Sequence, residues 1–396
     1  MCGLLAFFSS RGYAGLKAEA IAEALESLHH RGPDETGTRV VDEDVVFAHK
    51  RLAIIDVSSS HEPLPYADGR YLLTFNGEIY NYVELRRELI RDHGARFETA
   101  GDAEVIAAAY HHWGEAAVHR LRGMFAFVIW DRVKRRAFAA RDPFGIKPLY
   151  YLVSRDGVFL ASEKKALLPF AEAGTLGDAG VDTASLSHYL TLQYVPEPRT
   201  LHRGVRRLGS GESLTWTPDA GIEVNRWYRP VFRPAPVDDE AALYRRIRET
   251  LRESVRMHMR ADVPVGAFLS SGIDSTAIVA FAREFHPHLL TFTVGYDVPG
   301  YSEIDVAQES ARLLGVTTIP TVIGPQDMMA ALPRIVWHLD DPVADPSLVP
   351  LYFVARTAAQ HVTVVLSGEG ADELFGGYTI YREPLSLARV QALPDP

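Results

Sequence analysis

The sequence predicts two domains of different class: a sheet-rich α+β domain first, then an α/β domain built on a parallel sheet. Three observations predict this. From residue 2 to residue 153 short β-like runs (CGLLAFF, VVFAHKRLAII, YLLTFNG, MFAFVIWD, AFAARD, LYYLV) are interspersed with helical patterns at 16–28, 81–92 and 102–113; this mix fits sheets covered by helices. Beyond residue 242 the pattern changes to alternating strand and helix. Between the two lies TWTPDAGIEVNRWYRPVFRPAPVDDEAA, rich in proline, turn formers and acids, which reads as a linker. The expected division is 2–215, a linker at 216–242, and 243–396.

The elements of the second half follow in order. VPVGAFL leads into a helix at 275–285, and LLTFTVGY leads into a helix at 302–314, opened by Ser302 with Asp305 as a capping box. TTIPTVI precedes helices near 327–339 and 347–360, and VTVVLS closes the series. Such alternation implies right-handed crossovers and a parallel sheet. Ligands of such sheets sit at the carboxyl ends of the strands, against helix N-termini. The two least ordinary loops, SSGIDS (270–275) and SGEGADE (367–373), both fall there.

Composition narrows the function classes. Hydrophobic residues make up 47% and charged residues 23% of the 396-residue chain, the balance of a soluble globular protein with an ordinary core. The net charge is −10 and no basic block interrupts it, which argues against a nucleic-acid surface. No apolar run reaches the roughly 18 residues of a membrane span. A single cysteine excludes an intrachain disulfide and fits the reducing cytoplasm.

That cysteine stands at position 2, in MCGLLAFF. A lone cysteine in a first strand is ordinarily a small packed residue. Next to a removable Met1 it has a second reading: the mature terminus carries a thiol and an α-amino group of pKa near 7.7–8. The amine can serve, directly or through one water, as the base that makes the thiolate. Arg51 in AHKRLAII has the fork that clamps a carboxylate. In FNGEIYN the Asn-Gly pair is ordinarily a hairpin turn; here Asn81, with Glu84 three residues on, opens a helix instead. The corner can then aim an amide side chain and a backbone N–H at one oxygen, as an oxyanion hole does. Asp102 in GDAE stands at a helix start, where capping is its ordinary role.

Together MCG, HRGPDE (30–35), AHKRLAI, NGEIYN, GDAE and RDPFGIKPLYY (141–151) resemble the class II glutamine amidotransferases. The resemblance implies a four-layer αββα N-terminal-nucleophile hydrolase sandwich. It implies that Cys2 attacks the glutamine side-chain amide, and that Arg51, Leu52, Ala53, Ile54 and Ile55 hold the carboxylate end of glutamine. Asn76 and Gly77 would form the oxyanion hole. Glu78 and Asp102 would bind the glutamine, Asp102 near its α-amino group. Each of these roles requires removal of Met1.

In the second half SSGIDS lacks the GxxxxGK[ST] pattern of a Walker loop, yet its small residues can nest an anion on a helix N-terminus. SGEGADELFGGY adds Glu369, Asp372 and Glu373 among glycines at another strand end, which suggests a magnesium-nucleotide site. SSGIDS resembles the SGGxDS pyrophosphate loop of ATP-pyrophosphatase domains, with Ser271 in place of its first glycine; LDDPVADPSLVPLY and LSGEGADELFGGY resemble asparagine synthetase. The resemblance implies ATP and Mg2+. Ser270, Gly272, Asp274 and Ser275 would hold the pyrophosphate, and Leu269, Val294, Ser367 and Gly368 would contact the nucleotide. Asp274 and Asp372 would bind the metal, and Glu369 would support adenylation of aspartate. It further implies that ammonia from the first site reaches the second. Members of that family continue past ELFGGY through a lysine and an arginine-rich motif, for which 379–396 has no counterpart. The second domain is therefore expected to be incomplete. Alternatives are another carboxylate acceptor, a glutaminase whose synthetase half is inactive, a regulatory or subunit-binding module, and either a homodimer or a partner that completes the domain.

Overall fold

The computed structural model describes residues 1–9, 18–42, 44–154, 157–170, 180–298 and 302–387. Residues 16 and 17 of the first expected helix and 388–396 of the second expected domain lie outside them. The chain divides into two compact units, Met1–Pro236 with Pro333–Asp345, and Val237–Leu332 with Pro346–Pro396. No helix among the described residues is long and apolar enough to cross a membrane.

Unit 1 begins β1 (Gly3–Ser9), α1 (Ala18–Glu26), β2 (Glu35–Val41), β3 (Val45–Arg51), β4 (Leu64–Tyr66), β5 (Tyr71–Ile79), α2 (Tyr82–His93), α3 (Asp102–Trp113). It continues β6 (Gly123–Asp131), β7 (Arg136–Arg141), β8 (Tyr150–Val153), β9 (Gly157–Ala161), α4 (Leu168–Phe170), α5 (Thr183–Leu192), β10 (Val205–Arg207), β11 (Glu212–Thr217), β12 (Gly221–Arg226). The strands form two six-stranded sheets, β10-β8-β9-β1-β3-β2 and β12-β11-β7-β6-β5-β4.

Three apolar layers order these sheets. Leu4, Ala6, Phe8 and Phe47 of the first sheet share one core with Leu72, Val128, Trp130 and Trp216 of the second, so the sheets face each other. The alternate residues Leu5 and Phe7 pack outward with Leu25 and Leu28 of the α1 region. Leu73, Phe75 and Ile79 pack outward with Leu89 of α2 and Ile106 of α3. The result is the expected αββα sandwich, produced by the two-residue period of strands that bury both faces.

Several local expectations differ from the structure. Asn76-Gly77 does not turn a corner: β5 runs straight through to Ile79, with Gly77 opposite Phe125 on β6. Gly77 is needed for close approach, since a Cβ there would stand 2.1 Å from Met124 O. Asn81 precedes α2 without a side-chain cap; its amide instead accepts from Arg122 N at 2.9 Å and donates to Arg120 O at 2.9 Å, pinning the approach to β6. The stretch read as a linker contains β12, which pairs with β11 from Glu212↔Arg226 to Thr217↔Gly221.

Unit 2 contains α6 (Glu240–His258), β13 (Val265–Phe268), α7 (Ile273–Phe285), β14 (Leu290–Tyr296), α8 (Ile304–Leu314), β15 (Thr317–Ile323), the start of α9 (Pro325–Leu339), α10 (Leu348–Ala358), β16 (Val364–Leu366) and α11 (Ala371–Phe375). Its sheet has the order β15-β14-β13-β16 and is parallel throughout. Pro320 is tolerated because β15 is an edge strand. The capping box expected at Ser302 does not form: Glu303 occupies the cap position without a side-chain bond to the helix backbone, and Ser302 Oγ accepts from Ile304 N at 3.4 Å. The order steps outward from β13 to β15 and then returns to place β16 on the other side of β13. The topological switch therefore lies between β13 and β16, and the two unusual loops leave the carboxyl ends of those two strands.

Candidate functional site

Cys2 immediately precedes β1 and is half-buried. Its Sγ lies 3.4 Å from Leu52 N, which donates to it, and 3.7 Å from Leu52 O. Arg31 Nε donates to Cys2 O at 2.8 Å. The loop that follows β3 therefore walls the thiol, and Arg31 holds its backbone.

Along β5 the residues facing the other sheet change from apolar to polar. Leu72 belongs to the intersheet core. Thr74 Oγ1 lies 2.8 Å from His49 Nδ1 of β3 across the sandwich. Asn76 is fully buried, and neither its Oδ1 nor its Nδ2 has a partner among the described residues. Glu78 is next on the same face, with Oε2 also unpartnered. Burial, then the nearby Asp102 charge, raises the Glu78 carboxyl, and Glu78 in turn is close enough to Cys2 to raise its thiol. Asn76 and Glu78 thus share one face of β5, and Glu78 on that face neighbours Cys2. An orphaned buried amide is costly unless a ligand completes it.

Arg51 ends β3, buried. Its guanidinium donates to Asp56 O at 2.8 Å, Val57 O at 3.0 Å and Ile55 O at 3.4 Å, and pairs with Glu35 at 3.4 Å. It shapes the loop carrying Leu52, Ala53, Ile54 and Ile55 by satisfying its carbonyls. Asp34 assists, accepting from Ala53 N at 2.9 Å. Asp102 is the first residue of α3, after Gly101 at the cap position; its carboxylate accepts from Ile79 N at 2.8 Å and so fastens the end of β5 to α3. Burial raises that carboxyl above its usual range.

The motifs HRGPDE and RDPFGIKPLYY bring further residues that no role had been given. Lys147 is 5% exposed, and burial, then the Arg31 charge, lowers its ammonium to about 8 against the opposing pull of Glu78 and Cys2. Glu62 accepts from Phe75 N at 2.6 Å, and burial raises its carboxyl. Lys147 had only its position within a motif as a signal in the sequence and Glu62, outside those motifs, had none; the clusters they form are tertiary.

In unit 2 a cavity of about 450 Å3 opens at the switch point. Its lining includes every residue expected to touch nucleotide or metal there: Leu269, Ser270, Gly272, Asp274, Ser275, Val294, Ser367, Gly368, Glu369 and Asp372. Ser270 N donates to Ser275 Oγ at 3.1 Å, and Gly272 N donates to Ser270 Oγ at 3.1 Å, curling the loop tightly onto the start of α7. No side chain caps α7 at Gly272, so its first-turn N–H groups remain available to an anion. Ser271 keeps a negative φ, so the missing glycine costs no strain, and its hydroxyl donates to Glu303 at 2.7 Å. Gly368 forms the opposite wall: a Cβ there would stand 2.9 Å from Ser275 N. Among the described residues no three of His, Cys, Asp and Glu converge as a preformed metal cage.

Comparison with known proteins accords with both halves. The glutamine amidotransferase domain family matches residues 1–228, and the asparagine synthase family matches 246–395. A putative glutamine-hydrolysing asparagine synthetase of Mycobacterium bovis is 56% identical over 412 residues, covering 100% of this chain and 63% of that protein. Asparagine synthetase 1 of Bacillus subtilis is 48% identical, covering 100% of this chain and 62% of its own length. A second putative asparagine synthetase of Methanocaldococcus jannaschii is 31% identical, with 79% of its length covered. The chain thus spans somewhat less than two thirds of the first two relatives. By these matches over its whole length, the chain belongs to the glutamine-hydrolysing asparagine synthetase family, with a glutamine amidotransferase domain followed by an asparagine synthase domain.

Proposed function

We propose that this chain carries the glutaminase site and the ATP site of a glutamine-dependent asparagine synthetase. The observation that carries the reading is the fully buried Asn76 amide, unpartnered on both atoms among the described residues, on the face of β5 it shares with Glu78, which neighbours Cys2. After loss of Met1, the α-amine of Cys2 takes the thiol proton and the sulfur adds to the glutamine amide carbon. Asn76 Nδ2 and the N–H of Gly77 donate to the oxyanion that forms. Collapse expels ammonia, which carries away the proton, and water hydrolyses the remaining thioester to glutamate. The loop from Leu52 to Ile55, held by Arg51, receives the carboxylate end of glutamine. Glu78 and Asp102 face its ammonium end.

In unit 2 the fit to a magnesium nucleotide rests on the close approach at Gly368 and on the donor set. The β13 loop offers hydroxyls and helix N–H groups to phosphates. Asp274 and Asp372 are the two carboxylates for a metal that usually takes one or two from protein and the rest from phosphate and water. When bound, the metal neutralises phosphate charge. Ser270, Gly272 and Ser275 orient the pyrophosphate, Leu269 and Val294 flank the nucleotide with Ser367 and Gly368, and Glu369 supports the attack of the aspartate side-chain carboxylate on the α-phosphate. Ammonia then displaces AMP to give asparagine. Cys2 and the cavity lined by Ser270 and Asp372 lie in one chain, so we assign both half-reactions to one protein, acting in the cytoplasm as a homodimer or with a partner that completes the second domain.

The test follows glutamate and pyrophosphate separately. The purified chain should release glutamate from glutamine, and Cys2→Ala should abolish that release. Calorimetry should show saturable magnesium-ATP binding. In a chain extended to the full length of the relatives, pyrophosphate should appear only with aspartate. Glutamate release that survives Cys2→Ala overturns the first half of the reading; pyrophosphate release indifferent to aspartate overturns the acceptor.

A further inference from the structure

The 3-10 turn His29–Arg31 presents two side chains to one carboxylate. Arg31 Nη1 lies 2.6 Å from Glu163 Oε1, and His30 Nε2 lies 2.9 Å from the same oxygen. On the other side Lys165 Nζ lies 2.6 Å from Glu163 Oε2. The Glu163 side chain is only 4% exposed. It lies two residues past the end of β9, and Ser162 between them extends the ladder to β1: Leu4 N donates to Ser162 Oγ at 3.0 Å and Ser162 N donates to Leu4 O at 3.0 Å. Glu163 is thus fixed alongside the first residues of the chain by backbone as well as by charge.

The outer half of the cluster is contributed by the returning segment of unit 1. Lys165 Nζ donates to Trp337 O at 2.8 Å and stands 4.0 Å from the Trp337 ring centre. Asp340 accepts from Lys165 N at 2.9 Å and from Lys164 N. Lys164 Nζ pairs with Asp341 at 2.5 Å, both side chains buried. Through Arg31 Nε, which donates to Cys2 O at 2.8 Å, the same charges end on the peptide that orients the thiol. A donor on that carbonyl fixes the Cys2–Gly3 peptide plane and with it the direction of the Cα–Cβ bond.

We propose that Glu163 is a positioning residue for the Cys2 nucleophile, holding the Cys2 carbonyl through Arg31 and tying it through Lys165 to the Trp337–Asp341 stretch. The proposal rests on the reading of Cys2 as nucleophile. Burial alone would raise the Glu163 carboxyl, but the His30 bond and the Arg31 and Lys165 charges outweigh it and hold it at about 2. Glu163 is therefore a fixed charge throughout the working range and adds no inflection to the pH profile. Removing it leaves a buried guanidinium uncompensated, free to leave the Cys2 carbonyl.

The experiment compares Glu163→Gln, Glu163→Asp and Lys165→Met with the parent chain. Two rates are measured on folded protein: glutamate release, and alkylation of the sole cysteine by iodoacetamide. A small reagent attacks a thiol from any direction, so it reads ionisation and access, whereas the amide reaction also reads alignment. The expected result for Glu163→Gln is a kcat lowered about 100-fold with KM for glutamine within about threefold, the pattern of a displaced nucleophile. Alkylation and its pH dependence should be unchanged. Glu163→Asp should recover part of the loss, and Lys165→Met should lower kcat by about tenfold. A parental kcat in folded Glu163→Gln, or a fall in alkylation as large as the fall in kcat, overturns the proposal. Cys2→Ala is the separate control: glutamate release that persists there overturns the nucleophile reading itself.

Discussion

Burial, then the Glu62 charge, pushes the Cys2 thiol up to about 11 while Met1 is attached, and burial lowers the Met1 amine to about 5. At pH 8 about one thiol in a thousand is then ionised. The Met1-bearing chain should therefore alkylate slowly at neutral pH, with a rate that climbs steadily towards pH 11, and the processed chain should alkylate faster at pH 8. Mass spectrometry of iodoacetamide-treated samples reads this on one cysteine; equal rates at pH 8 would disprove the account. A second prediction at this scale concerns Asn76, whose amide is both orphaned and buried. Asn76→Leu keeps the branched four-atom skeleton of the side chain and removes a polar group whose desolvation costs about 1–3 kcal/mol. It should raise the unfolding midpoint while lowering kcat for glutamate release by about 100-fold or more, the loss of one oxyanion donor. A midpoint that falls would mean the amide is satisfied in the free protein.

Elements carry the next level of specification, and here the sequence was legible to unequal degrees. Periodicity located the sheets, α2, α3 and the alternating second half, because burying both faces of a strand or one face of a helix leaves a pattern in adjacent residues. It did not locate the turns. Asn-Gly is a hairpin signal only where the chain is free to reverse; in β5 the pairing with β6 along the whole of Tyr71–Ile79 overrides it. The Ser302 capping box failed because the helix starts at Ile304, with Glu303 held to Ser271 across the cavity mouth. The linker was drawn too wide because β12 is a polar edge strand, and its composition looks like loop. The two glycine-rich loops at the cavity were readable because glycine spacing is local. The match at Gly368 is tertiary, and it yields a prediction: in Gly368→Ala the Cβ would lie 2.9 Å from Ser275 N and 3.0 Å from Asp274 Cβ. That contact forces the β13 and β16 loops apart, so magnesium-ATP affinity by calorimetry should fall by about tenfold, or ~1.4 kcal/mol. Glutamate release, which we propose for unit 1, should be unchanged. Parental affinity would show that the loops yield without cost to the site.

At the scale of the molecule, the first unit is not a contiguous stretch of sequence. Pro333–Asp345 belongs to it although about a hundred residues of the second unit intervene. No sequence signal marked this, since LDDPVADP resembles a loop of the synthetase half and its acids find their partners only in three dimensions. Asp341 neutralises Lys164, whose side chain is 3% exposed, and it also pairs with Arg207 at 3.4 Å. Asp340 receives the backbone N–H groups of Lys164 and Lys165. A chain cut after Pro236 keeps every strand of both six-stranded sheets yet removes Asp341, the carboxylate partner of the Lys164 ammonium. Breaking a buried pair in this way costs about 3–5 kcal/mol, a large share of the stability of a domain. The 1–236 fragment should therefore unfold at markedly lower urea than unit 1 of the full chain. Lys164→Met in the fragment should restore much of the loss, because it removes the stranded charge and keeps the apolar stem. The same substitution in the full chain should destabilise, since it strands Asp341 instead. The opposite signs of one substitution in two contexts are the decisive reading. If Lys164→Met shifts both midpoints in the same direction, the returning segment contributes packing and the buried pair contributes little.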